Sequence, residues 1–171
     1  TPSWIENHRS LAIQICQQGH EIQGLGEQEV CVEQMTAKAC RKELRKIRET
    51  IETVTEEPCV FFRIPGGEYN NEVLRTIYAC GSYPVAWSVD SMDWKEYEAG
   101  ELVRQLLQSC TIRDGEILRF HGEGENTGEM VKLLHPRLKE EGYEAVTVSQ
   151  MVYKDRYRMT TDGRQIPEKS K

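Results

Sequence analysis

Phe61-Phe62-Arg63-Ile64-Pro65-Gly66-Gly67, Trp87-Ser88-Val89-Asp90-Ser91-Met92-Asp93-Trp94 and Leu118-Arg119-Phe120-His121 decide how this chain is read. Each is a short apolar run that ends in a polar, chemically capable residue. Each follows a segment with helical periodicity. In an α/β protein the carboxyl ends of the strands gather on one rim, where ligands bind. The three runs offer that rim an arginine, a pair of aspartates, tryptophan and a histidine. Their spacing predicts a functional rim at the strand ends.

Outward from these runs the pattern alternates between helix and strand. Residues 4–18 read as one helix, with Trp4, Ile5, Leu11, Ile15 and Cys16 on a stripe and Gly19 as its stop. His20-Glu21-Ile22 is a short strand candidate before a Gly-punctuated loop. Residues 36–55 form a long helix, with Leu44, Ile47, Ile51 and Val54 on one face and charge on the other. Pro58 ends it, and 59–62 is a buried strand. Asn70 caps a helix over 71–80 that Gly81 closes. Then come a strand at 84–89, a helix at 101–110, a strand at 115–120 and a helix at 127–141 ended by Gly142. A last strand is expected at 144–148, and 153–171 reads as a polar tail or edge extension. About five β/α units of this kind imply parallel strands with right-handed crossovers. The class is α/β. Pattern alone leaves a closed or partial (β/α) barrel and an open sheet both available.

Composition narrows the function. A chain of 171 residues is one domain by length and can bury a sizeable core. The net charge of −6 argues against nucleic acid, whose phosphates want a basic face. No apolar run reaches the length of a membrane span. Thr1-Pro2-Ser3-Trp4 opens straight into helical pattern with no signal peptide, which leaves the compartment open. The cysteines, at 16, 31, 40, 59, 80 and 110, have no C-x-x-C spacing and no adjacent histidine pair. That disfavours a zinc ribbon or a thioredoxin motif. They read as free thiols packed as small hydrophobes, with a disulfide framework as the other reading.

The strand ends carry the chemistry. Arg63 precedes Pro65 and two glycines that allow a tight turn and close approach to a ligand. It can orient a carboxylate or polar substrate group, or it can make a structural salt bridge at the turn. Asp90 and Asp93 lie between Trp87 and Trp94. Aromatic faces beside carboxylates suit a sugar cleft. The other reading makes the tryptophans core and the aspartates loop caps. His121 meets a Gly-rich loop, and a nearby aspartate can hold it in one tautomer as a general acid. A lone histidine is more often structural, but the company of His121 favours function. His20 reads as structural, and His8 and His135 as surface or packing residues. The loop 122–128 lacks the Gly-Lys-Ser/Thr of a phosphate-binding loop. Gly24-Leu25-Gly26 is only a fragment of a dinucleotide fingerprint.

Taken in order, these motifs resemble the polysaccharide deacetylase family, the NodB homology domain of carbohydrate esterase family 4. The resemblance runs from about Trp4 to Val152. Gly19-His20-Glu21-Ile22 is similar to the start of the second family motif. Arg63-x-Pro65-x-Gly67, followed by Asn70, resembles the third. Residues Trp87 through Trp94 resemble the fourth, and Leu118-x-x-His121 the fifth. Asn126-Thr127 and Gly142-Tyr143-x-x-Val146-Thr147-Val148-Ser149 look like the closing helix and strand. The resemblance implies a distorted (β/α) barrel and metal-dependent removal of N- or O-acetyl groups from chitin-like or peptidoglycan sugars. In that chemistry a divalent metal, usually zinc, polarises the acetyl carbonyl and a water, and an Asp base activates the water. It further implies that Arg63 orients the base, Asp93 tunes the acid, and His121 is the acid. Trp94, with Trp87, Asp90, Pro65 and Gly67, would shape the substrate side. A cell-envelope or extracellular setting goes with the family, and the residues themselves leave a cytoplasmic one open.

Two departures qualify that implication. The first family motif, with its Asp base and Asp ligand, has no counterpart. The chain opens at what looks like the second helix, so the first strands are expected to be absent. The family His-x-x-x-His falls on Leu25 and Glu29. Leucine cannot bind a metal, and one carboxylate is not a site when zinc wants three protein ligands. No metal cofactor is therefore expected in this chain, with Glu29 the single candidate ligand. The expectation is a deacetylase-like domain over 1–152 with little or no hydrolysis and a polar tail over 153–171. Its partner would be an acetylated glycan or peptidoglycan. One alternative is a non-catalytic carbohydrate- or envelope-binding pseudoenzyme. Another is an active enzyme whose N-terminal catalytic segment lies outside this chain. Uncovered strand edges would favour self-association into a homo-oligomer.

Overall fold

The computed structural model describes residues 1–26, 36–122 and 124–168. Its contacts divide the chain into two compact units, Thr1–Trp87 and Ser88–Lys171.

The first unit is built on helix α3. Helices α1 (Pro2–Asn7) and α2 (Arg9–Gln17) precede strand β1 (Gly24–Leu25), and α3 spans Ala37–Thr55. The apolar positions of α3 recur at alternating spacings of four and three, so Cys40, Leu44, Ile47, Ile51 and Val54 bury one stripe. Thr36 caps it by accepting the Ala39 N–H. Glu56, in the left-handed region at φ 60°, ends it ahead of Pro58. Strand β2 (Phe61–Arg63) pairs in parallel with β1 on one side and β3 (Tyr83–Pro84) on the other. Helix α4 (Asn71–Ala79) joins β2 to β3, and the Asn70 side chain caps it by accepting the Val73 N–H. The stripe of α3 meets Ile5, Ala12, Phe62, Ile64, Val73 and Ile77 in one core.

Several expectations change here. The single helix over 4–18 is broken at His8, whose Nδ1 lies 2.9 Å from the Trp4 carbonyl. Of the expected stripe Ile5 is buried, whereas Trp4 and Leu11 are exposed. The strand candidate His20-Glu21-Ile22 does not pair; the pairing begins at Gly24. Gln23 explains the shift. Its Oε1 accepts the N–H groups of Val60 and Phe61, and its Nε2 donates to the Pro58 carbonyl. A side-chain amide thus takes the place that a longer strand would occupy. Gly24 and Gly26, weighed as a nucleotide fragment, serve packing. A Cβ at 24 would lie 2.8 Å from Ile47 Cγ2, and one at 26 would lie 2.9 Å from Pro65 Cγ.

The second unit begins with β4 (Val89–Asp90), which pairs in parallel with β5 (Leu118–Arg119). Helices α5 (Ala99–Ser109) and α6 (Thr127–Glu140) pack together, and Leu102, Val103, Leu106, Met130 and Leu134 form their core with Val89. The strand expected at 84–89 is thus two strands in two sheets. The strand expected at 144–148 does not form. Instead α7 (Val148–Met151) starts there, because Thr147-x-x-Gln150 makes a capping box. The segment expected as a polar tail carries an antiparallel pair, β6 (Tyr157–Met159) with β7 (Gln165–Pro167). Cys16, Cys40, Cys59, Cys80 and Cys110 are free thiols, and Cys31 lies outside the described residues. Burial pushes the Cys59 thiol up to about 11, so it is inert at neutral pH.

Candidate functional site

The predicted rim residues fall in both units. Asp90, Asp93, Trp94 and His121 belong to the second, and Arg63, Pro65, Gly67 and Trp87 to the first.

Asp93 follows β4 and is 1% exposed. A buried carboxylate must be hydrogen-bonded to remain charged. Ser91 Oγ donates to its Oδ1 at 2.9 Å. The main-chain N–H of His121 is shared between Oδ1 at 3.0 Å and Oδ2 at 2.9 Å. The Thr127 hydroxyl donates to Oδ2. His121 Nδ1 completes the set, 2.7 Å from Oδ1. Burial pushes the Asp93 carboxyl up, but the hydrogen bonds from Thr127, His121 and Ser91 outweigh it and hold the group below the ordinary aspartate value. Asp93 is therefore ionised and can only accept. The proton between the two side chains sits on Nδ1, which leaves Nε2 to exchange a proton with a ligand.

His121 is reached from outside while its partner is dry. Its side chain is 30% exposed. Trp94, at 58% exposed, meets it edge-on with ring centroids 6.5 Å apart. Lys95 Nζ lies 5.8 Å from the centroid of the Trp94 ring. An exposed indole beside an exchangeable imidazole can present a flat apolar face and a proton to the same ligand.

Asp90 is tied into the sheet. Its Oδ2 pairs with Arg119 at 2.5 Å, across the register in which Asp90 opposes Arg119. Its Oδ1 accepts the Met92 N–H at 2.9 Å. The pair ties β4 to β5 and shapes the loop that delivers Asp93.

In the first unit the guanidinium carbon of Arg63 lies 5.8 Å from the centroid of the Trp87 ring, a cation–π contact. Gly67 makes room for that ring. It has φ 79°, and a Cβ there would lie 2.7 Å from Trp87 Cη2. Pro65 and Gly66 complete the tight turn after β2. This group presents a planar cation at the end of a strand, suited to a carboxylate or another polar acceptor.

Sequence reasoning passed over Ser91, Gly124 and Thr127 as working parts. A Cβ at Gly124 would lie 2.9 Å from the Asp93 carbonyl oxygen and 3.2 Å from its Oδ2, so the Gly-rich loop closes directly over the carboxylate. Gly124 had a visible signal in that loop. Thr127 stood out only as part of the Asn126-Thr127 motif at the start of a helix, and nothing there pointed to the group it serves, 34 positions away.

The metal ligands implied by the resemblance do not fit the residues present. Leu25 lies on β1 and offers only hydrocarbon. Glu29 lies outside the described residues. Among the described residues no group of three or more His, Cys, Asp or Glu side chains is placed to hold a metal ion.

Comparison with known proteins places this geometry. The family model described as polysaccharide deacetylase matches residues 1–85. The chain is 26% identical over 153 residues to the peptidoglycan-N-acetylglucosamine deacetylase of Bacillus cereus, covering 86% of this chain and 70% of that protein. It is 30% identical over 121 residues to the peptidoglycan-N-acetylglucosamine deacetylase PgdA of Listeria monocytogenes, covering 69% of this chain and 25% of that protein. A crystal structure of a carbohydrate esterase family 4 pseudoenzyme from Bacillus anthracis shares its fold, with a TM-score of 0.78 at 23% identity over 86% of this chain and 52% of that one. The chain spans only part of each of these proteins. The fold is the α/β type of the deacetylases, and the family match joins the ordered motifs and the named relatives in one conclusion: the chain belongs to the polysaccharide deacetylase family.

Proposed function

We propose that this deacetylase-like domain engages an acetylated glycan of the peptidoglycan or chitin type and retains the proton-donating side of the family reaction, with little or no hydrolysis as this chain. The observation that carries the reading is the dry, ionised Asp93 holding Nδ1 of an accessible His121. Nδ1–H stays on Asp93 and keeps the ring oriented with Nε2 toward the ligand; as imidazolium, His121 would protonate a leaving amide nitrogen only after an activated water had added to the acetyl carbonyl. Trp94 offers its exposed face to a sugar ring. Arg63, steadied on Trp87 above Gly67, orients a carboxylate or polar substrate group.

The family reaction draws its attacking water from a divalent metal and an Asp base. Leu25 cannot serve that centre, so no step is assigned through it here. Binding without turnover is the outcome this reading expects. Fold alone does not choose between the two, since enzymes and a pseudoenzyme share it. A second reading, an active domain completed by a segment outside this chain, is favoured by the retained acid pair. Peptidoglycan as ligand would place the domain at the cell envelope. No described helix is long and apolar enough to cross a membrane.

Titration with an N-acetylglucosamine tetramer and with soluble peptidoglycan fragments, following the Trp94 indole and His121 ring signals by NMR, tests the binding. Acetate release with added zinc or cobalt tests turnover. Ligand-dependent shifts at both residues without acetate support the proposal. Metal-dependent acetate release supports the second reading, and silence at millimolar ligand overturns both.

A further inference from the structure

We infer that Thr127 is the positioning residue of the His121–Asp93 pair: its hydroxyl fixes the rotation of the Asp93 carboxylate, and thereby which nitrogen of His121 carries the proton. The inference rests on the proposed role of that pair.

The donors around Asp93 are unequally shared. Ser91 Oγ and His121 Nδ1 both act on Oδ1. The His121 main-chain N–H bridges the two oxygens and so favours neither. Thr127 is the side-chain donor on Oδ2 among the described residues. Without it, the carboxylate is gripped by side chains at Oδ1 alone, and Oδ2 keeps only its share of the His121 N–H, so the carboxylate plane is free to turn about its Oδ1 contacts. The Thr127 oxygen also lies 3.0 Å from the His121 carbonyl oxygen. A hydroxyl has one proton and two acceptors in reach here. The ionised carboxylate is the stronger acceptor, so the proton goes to Asp93. Thr127 thus touches both the acid partner and the backbone of the histidine that it serves.

Two further features make the contact a built one. Thr127 is the first residue of α6, whose packing against α5 fixes where its side chain starts. Gly124 brings the loop within side-chain distance of the same carboxylate oxygen, leaving no room for a larger residue to intervene. A valine at 127 has the shape of threonine without its donor. It would leave Oδ2 with only the shared His121 N–H and keep water from replacing the lost bond.

The test is the tautomer of His121, read from 15N chemical shifts of the neutral ring in the full chain. Wild type should show Nδ1–H. Thr127→Val should lose that preference, with the population moving toward Nε2–H, and Thr127→Ser should restore it. Thr127→Ala serves if the valine variant does not fold, with an intermediate loss because water can enter. Retention of the wild-type Nδ1–H signal in both Thr127→Val and Thr127→Ala, in folded protein, overturns the inference. An Nε2–H ring in wild type overturns the reading of the pair itself, which separates the two failures.

Discussion

Nδ1 of His121 lies 2.7 Å from Oδ1 of Asp93, and the main-chain N–H of the same histidine donates to the same carboxylate. Side chain and backbone of one residue thus grip one buried group. The backbone bond fixes where the imidazole starts, and the Nδ1 bond fixes where its ring turns. That double hold ties the fold of the second unit to the proton chemistry proposed for it.

Acid should undo this hold in a defined direction. The folded-state value of Asp93 is depressed, so its contribution is present above the unfolded value of about 3.9 and is lost as pH falls through the folded value. Urea unfolding from pH 7 downward should show stability falling below about pH 4. Asp93→Asn sets an amide N–H₂ against the donors of Ser91, His121 and Thr127. It should cost about 3 kcal/mol at pH 7 and flatten that acid limb. An unchanged limb in the variant would assign the acid sensitivity elsewhere.

Neighbouring glycines in the first unit make a matched pair. Gly66 and Gly67 both have positive φ, but only Gly67 has a ring against it. Gly66→Ala should cost about 1 kcal/mol for backbone strain alone. Gly67→Ala must also displace Trp87 and should cost about 3 kcal/mol, with a shift in tryptophan emission. Equal losses in thermal unfolding would show that the contact with Trp87 does no more than fill space.

An ion pair latches the C-terminal hairpin to the loop before β5. Arg164 donates to Glu116, whose side chain is 4% exposed, at 3.1 Å. Arg164→Ala should leave the core intact but speed amide exchange at Thr160, which bonds the Arg164 carbonyl at 2.9 Å, by about tenfold. Exchange at Leu106 in α5 reports the core and should not move. If both accelerate together, the hairpin is part of the global fold rather than a local flap.

Zinc content is the next check. Leu25 has no donor atom where the family carries a ligand, so protein dialysed against buffer should hold well under one zinc per chain. Elemental analysis decides it, and one tightly held zinc would falsify the prediction and make Glu29 and His121 the first ligands to mutate.

Apolar side chains remain uncovered on the opening helices, where Trp4, Leu11 and Ile13 are exposed. Large apolar side chains left in water favour association. Light scattering should show mass rising with concentration in the micromolar range, and Leu11→Lys with Ile13→Glu should abolish the rise. A constant monomer mass for wild type would count against a homo-oligomer.

Much of this was written locally. The stripe at 40, 44, 47, 51 and 54, the Thr36 and Asn70 caps and the ordered Arg63, Asp93 and His121 motifs were legible because helix periodicity, capping and motif spacing are properties of short stretches. What tertiary structure alone decided is of another kind. Strands only two or three residues long have no period to read, so partners chose them: Tyr83–Pro84 pairs with β2, while Val89–Asp90 pairs with β5. Gln23 displaced a strand by bonding residues 37 and 38 positions away. Thr127 gained its role from Asp93, 34 positions back. The reason is the same in each case. A hydrogen bond between distant residues depends on where the chain brings them, and no local pattern records that meeting.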